Sequence, residues 1–185
     1  REATWHHLEQ HEEAHAEARS YFPTPDEFAL GPDQYLEQIR RIKAAVDIPV
    51  IGSLNGSTGR GWTDYAKGIE QAGADALELN FSCPHMTIEG SGHKVGQAFR
   101  LLESFTEVVK RALKIPVMAK MTPNITDITE PAVFAKKGGA DAVAAINTIR
   151  GISEIGLEDL VPRPNVFGVG AMSGYSGPAV KPIAL

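Results

Sequence analysis

In "ELNFSCPHM", residues 78–86, the polar side chains Asn80, Ser82, Cys83 and His85 crowd together where an apolar run ends. Cys83 is the single cysteine of the 185-residue chain. It reads either as a core thiol or as a reactive atom. A thiol is mostly protonated at neutral pH, so it can deliver a proton, and its thiolate can take one back. Asn55 and Asn147 end apolar runs as Asn80 does, and Lys120 stands between Ala119 and Met121 inside another. Asn is a poor strand residue. Singly, each also reads as a helix cap or turn; three at matching ends point to a site. Amides offer donors and acceptors, so three converging ones could read a planar heterocycle whose edge alternates C=O and N–H. A Lys inside an apolar strand needs a reason. One reason is a fixed cation beside a cofactor that gains negative charge; the plainer alternative is snorkelling or pairing with a carboxylate.

Glycine-rich segments flank these groups. Gly90, Gly92 and Gly96 in "HMTIEGSGHKVGQ" make residues 85–97 a candidate mobile loop that closes over substrate. "GVGAMSGYSGPA" (168–179) is glycine-dense and precedes a helix. Its spacing misses the dinucleotide fingerprint, although a glycine-rich turn opening a helix can offer backbone N–H groups to a flavin or phosphate. "HEEAH" (11–15) matches the His-Glu-x-x-His zinc pattern. Its flanks, "HHLEQ" and "AEARS", are too polar for a half-buried metal helix and no third ligand is evident, so a solvated helix is the better reading and no metal site is expected.

The elements that must position these groups come in a repeat. "DIPVIGSLN" (47–55) and "KIPVMAKMT" (114–122) share an Ile-Pro-Val entry into an apolar strand; "QAGADALELN" (71–80) and "KGGADAVAAIN" (137–147) share Gly-Ala-Asp-Ala before another. The offset is 67 residues from Ile48 to Ile115 and 66 from Gly73 to Gly139. Between the strands, "PDQYLEQIRRIKAAV", "WTDYAKGIEQAG", "FRLLESFTEVVKRAL" and "DITEPAVFAKKGG" carry helical apolar spacing. The order is therefore α, β, α, β, α, β, α, β. The short apolar strands suit a parallel sheet buried on both faces. A (β/α)8 TIM barrel of roughly 250 residues is the expected parent fold, and a doubly wound sheet is the alternative. In either, functional groups collect at the carboxyl ends of the strands.

Composition bounds the rest. A net charge of −5 gives no case for nucleic acid, and no apolar run approaches a membrane span. One cysteine excludes an internal disulfide or a four-cysteine cluster within the chain. A cytoplasmic setting is the default expectation. The start at Arg1 without methionine, and the end on a helix-opening "GPAVKPIAL", read as a piece of a longer polypeptide.

Three ordered segments carry a resemblance: "GADALELNFSCPH…GQ" (73–97), "PVMAKMTPNITDI" (116–128), and "GGADAVAAINT" with "SGPAVKPIAL" (138–148 and 176–185). They resemble the FMN-binding barrel of the dihydropyrimidine dehydrogenases and their relatives, the class 1 dihydroorotate dehydrogenases. The resemblance implies a partial FMN-binding TIM-barrel domain over 1–185, about strands three to six, with 1–31 a helical insert and 32–185 the βα units. It implies Cys83 as general acid/base on a mobile loop, Asn80, Asn147 and Thr148 on the pyrimidine with Ser82 in support, Lys120 on the flavin ring, and Ser176 and Gly177 near FMN. Asn55 stands where the family has an Asn near substrate, and Asn147 also adjoins the cofactor. His85 matches the uracil/thymine branch, where the dihydroorotate enzymes usually have Asn; "MTIEGSGHKV" is not that branch's usual loop, which leaves dihydroorotate, or a catalytically incomplete barrel subunit, as alternatives. Iron–sulfur clusters and NAD(P) would come only through further segments or a partner subunit, in a homo- or hetero-oligomer. The family's first two and last two strands have no counterpart, so the chain alone is expected to bind FMN poorly.

Overall fold

The computed structural model describes residues 31–56, 58–82, 93–151, 154–160, 162–163, 165–166, 169–170 and 173–185. Helix α1 (Pro32–Ala45) leads to β1 (Ile51–Leu54), α2 (Gly59–Gln71) and β2 (Ala76–Asn80). Then come the short α3 (His93–Gln97), α4 (Phe99–Ala112), β3 (Val117–Lys120), α5 (Thr129–Lys137) and β4 (Ala142–Ala144). All eight elements of the expected alternation are present, and α3 is an addition to it.

The four strands are parallel and lie in sequential order β1-β2-β3-β4. Helix α1 touches α2, α2 touches α4, and α4 touches α5, so these helices share one face of the sheet. A doubly wound sheet reverses its strand order and carries helices on both faces. The observed order is that of a barrel wall. Leu77, Leu79, Val117 and Ala119 point to the helices and are fully buried with Trp62, Ile69, Leu102 and Val109. Each leucine, isoleucine or valine among them contributes roughly 1.5–3 kcal/mol by leaving water. Trp62 packs on Phe81 with ring centroids 5.2 Å apart and on Phe105 at 6.0 Å.

Burial on both faces is not observed. Residues of the opposite parity, Ser53, Glu78, Asn80, Met118 and Lys120, remain exposed or half-exposed. The helices all cover the other face, and this side is the wall's concave interior. The edge of β1 is partly capped: the Tyr35 hydroxyl accepts from the Ser53 N–H (2.9 Å) and donates to the Ser53 carbonyl (3.0 Å). Tyr35 thus takes the hydrogen bonds that a neighbouring strand would make there.

The sequence repeat is also a repeat of side-chain chemistry. Asp75 accepts from Lys43 Nζ (2.7 Å) and from the Val50 N–H (2.6 Å). Asp141 accepts from Lys110 Nζ (2.7 Å) and from the Val117 N–H (2.7 Å). Asp75 therefore ties the entry of its own strand to the entry of the preceding strand and to the helix that leads into that preceding strand. Asp141 does the same one repeat later. These hydrogen bonds, led by the Lys contact, hold both carboxyls below their usual range. Gly73 (φ 94°) and Gly139 (φ 89°) turn the chain out of α2 and α5 through the left-handed region, which costs a glycine least.

Residues 149–175 hold short antiparallel pairs that the apolar periodicity did not reveal. Strand β5 (Ile149–Gly151) pairs with Ser173–Tyr175, and two-residue strands pair at 154–155 with 162–163 and at 165–166 with 169–170. After them a 3-10 turn, Pro178–Val180, leads into a four-residue helix, Lys181–Ala184.

Candidate active site

The carboxyl ends of β2, β3 and β4 meet at one rim. Asn80 is the last residue of β2, Lys120 the last of β3, and the two are register partners. Asn147 lies three residues beyond β4, and its N–H donates to the Met121 carbonyl at 3.1 Å, which holds the departing chain against the end of β3.

Three predicted polar residues form one hydrogen-bonded chain. The Ser82 hydroxyl donates to Asn80 Oδ1 at 2.7 Å and accepts from Asn147 Nδ2 at 2.7 Å. The Ser82 N–H also donates to Asn80 Oδ1, at 3.1 Å. Asn147 Oδ1 accepts from the Thr148 N–H at 2.8 Å. Ser82 is nearly buried, at 2% exposure. It therefore fixes the two amides rather than facing the open side itself.

A cavity of about 430 Å³ adjoins this chain. Lys120, Asn147, Thr148, Ser176 and Gly177 line it, together with Ala145, Ile146, Val180, Lys181 and Ala184. Five of the residues singled out by sequence thus share one wall, although Ser176 and Gly177 are separated from Asn147 by about thirty positions. Asn80 and Ser82 stand behind that wall. Asn55 lies exposed just past β1 and does not line the cavity. Cys83 and His85 lie outside the described residues, as do "HEEAH", all of the 1–31 insert but Gly31, and Gly90 and Gly92. Gly96 is corrected: it belongs to α3, not to a mobile loop. A Cβ there would come within 2.3 Å of the Phe81 carbonyl oxygen and 2.9 Å of Thr122 Cγ2, so the glycine lets α3 seat against the end of β2.

Lys120 combines both readings of a lysine in a strand. Lys120 lines the cavity, and its ammonium lies 3.8 Å from Glu78 Oε1. Glu78 in turn accepts from the Ser53 hydroxyl at 2.9 Å. Sequence reasoning passed over Glu78, and the signal was available: it stands two residues before Asn80, so strand alternation aims both to the same face. Lys181 was passed over as well. It opens a helix of only four residues, for which periodicity gives no sign. Among the described residues no three His, Cys, Asp or Glu side chains gather as for a metal ion, and no helix is long and apolar enough to cross a membrane.

The residues lining the cavity are of types that suit a planar, polar ligand with an anionic part. It has a carboxamide and a hydroxyl-bearing residue for in-plane hydrogen bonds, and two ammonium groups for negative charge. It also has a glycine where backbone can approach closely. FMN fits such a set on chemical grounds.

Sequentially ordered parallel strands, helices on one face and polar groups gathered at the carboxyl ends define a segment of a TIM-barrel protein. The chain belongs to the dihydroorotate dehydrogenase family, whose model matches residues 29–185. It is 45% identical over 166 residues to the NAD-dependent dihydropyrimidine dehydrogenase subunit PreA of Escherichia coli K12, covering 89% of this chain and 40% of that one. It is 42% identical over 151 residues to the catalytic subunit of dihydroorotate dehydrogenase B (NAD(+)) of Methanosarcina mazei, covering 82% of this chain and 46% of that protein. The chain thus spans less than half the length of these relatives. Among solved structures, phosphonopyruvate hydrolase superposes with a TM-score of 0.52 at 17% identity, covering 69% of this chain and 46% of the other; that likeness concerns the fold alone.

Proposed function

We propose that this chain is the central part of a flavin-dependent oxidoreductase that interconverts a uracil- or thymine-like pyrimidine and its 5,6-dihydro form. The observation that carries the reading is the shared wall of Lys120, Asn147, Thr148, Ser176 and Gly177 around one cavity. FMN bound there would supply the hydride chemistry. Lys120 and the Ser176-Gly177 turn would hold that cofactor, the ammonium favouring negative charge on it. Asn147, with Thr148 beside it, offers amide donor and acceptor to the alternating edge of the pyrimidine. Asn80 and Ser82 fix the Asn147 amide so that its orientation is set before substrate arrives. Cys83 Sγ delivers the proton to the ring carbon next to the one that exchanges hydride, and takes it back in the reverse direction. Asn55 is the weakest member of the substrate set, since it stands apart from the cavity.

The names of the relatives support a pyrimidine oxidoreductase that works with a partner subunit, and we extend this to the chain: electrons reach it through a partner subunit or further segments bearing iron–sulfur clusters and NAD(P). His85 supports uracil or thymine over dihydroorotate. The test is to assay the holoenzyme on uracil, thymine and dihydroorotate, with Cys83→Ser alongside. Uracil or thymine turnover should fall by about 10²–10⁴-fold in the variant while flavin content holds. An unchanged rate removes Cys83 from the reaction, and turnover of dihydroorotate alone moves the enzyme to the other branch.

A further inference from the structure

Glu78 enters none of the steps above, yet it places a carboxylate inside the barrel wall at 19% side-chain exposure. Charge is rarely kept there without a partner. Its partners are defined. Oε1 accepts from the Ser53 hydroxyl at 2.9 Å and lies 3.8 Å from Lys120 Nζ. At that distance the ions attract without a well-formed hydrogen bond, so the carboxylate does not use up the ammonium's donors. Ser53 is fixed in turn, because the Tyr35 hydroxyl takes both its N–H and its carbonyl and its Cα pairs in register with Glu78. A continuous chain thus runs from helix α1 through Tyr35, Ser53 and Glu78 to Lys120 at the cavity wall.

We propose that Glu78 is a positioning residue for Lys120. It tethers the ammonium from behind and, as its counter-charge, offsets part of the positive charge the cavity presents. It thereby sets how strongly the site favours reduction of the flavin. The inference rests on the flavin reading of the cavity. Glu78→Gln keeps the side chain's length and its acceptor for Ser53 but removes the carboxylate charge that faces the Lys120 ammonium.

The test measures the midpoint potential of bound FMN in the holoenzyme for the wild type, Glu78→Gln, Lys120→Met and the double variant. Glu78→Gln should move the potential in the positive direction, by about tenfold in the reduced-to-oxidised ratio, or ~30 mV for a two-electron couple. Lys120→Met should move it the other way. In the Lys120→Met background the effect of Glu78→Gln should shrink to less than half, because the part exerted through the ammonium's position is lost and only the carboxylate's own field remains. A shift that is absent, negative or undiminished in that background overturns the proposal. A holoenzyme preparation that takes up no FMN refutes the flavin reading and this inference with it; FMN uptake with an unmoved potential refutes the inference alone.

Discussion

Ser82→Ala isolates the contact that orients the candidate substrate amide. The Ser82 hydroxyl makes two short hydrogen bonds, one to Asn80 Oδ1 and one from Asn147 Nδ2, each 2.7 Å. A typical intramolecular hydrogen bond contributes about 0.5–1.5 kcal/mol net. Asn80 Oδ1 keeps the Ser82 N–H in the variant, so its loss is partly covered. The cost therefore falls mainly on Asn147 Nδ2, and the expected destabilisation is about 1–2 kcal/mol. For a chain of this size that lowers Tm by roughly 2–8 °C. Asn147→Ala removes the same bond and also the one to the Thr148 N–H, so it should cost more. The double variant should cost less than the sum by about 1 kcal/mol, the energy of the shared bond. Urea unfolding with unchanged m-values reads all three. Strict additivity, within about 0.3 kcal/mol, would show that Ser82 and Asn147 are not coupled and would sink the argument that Ser82 pre-sets the amide. In the holoenzyme the same single variant should raise KM for the pyrimidine more than it lowers kcat.

Gly96→Ala should destabilise by about 1–3 kcal/mol, because the new methyl meets the Phe81 backbone carbonyl rather than a movable side chain; thermal unfolding matching the wild type would show that α3 does not seat there. Acid unfolding should report the two aspartate clamps. The folded-state carboxyls of Asp75 and Asp141 titrate below their ordinary range. Their contribution is therefore present above the ordinary carboxylate range and is lost as pH falls through the lowered values. Asp75→Asn combined with Asp141→Asn should flatten the acid limb of a stability–pH profile while leaving the alkaline side parallel, and an unaltered acid limb would assign acid sensitivity to other carboxylates.

Sequence alone determined the alternation of elements, because apolar period and glycine stops are local properties. It also located most of the polar rim: Asn80, Lys120 and Asn147 interrupt apolar runs, and such interruptions are visible wherever they occur. The repeat, with its 66-residue offset here, even placed the two aspartates at equivalent strand entries, although not their clamp onto Lys43 and Lys110, which lie 32 and 31 residues away. Barrel against doubly wound sheet was undecidable locally, since both alternate strand and helix; strand order and the single helix-covered face settled it. Only the folded chain brought Ser176 and Gly177 to the wall that Asn147 lines, because that meeting depends on the return path after β5. Only it turned Gly96 from a loop residue into a packing contact, and set Asn55 apart from the cavity. Glu78 marks the boundary between the two kinds of knowledge. Its inward direction follows from two-residue alternation along a strand, but its pairing with Lys120 depends on parallel register between strands about forty residues apart, which no local pattern encodes.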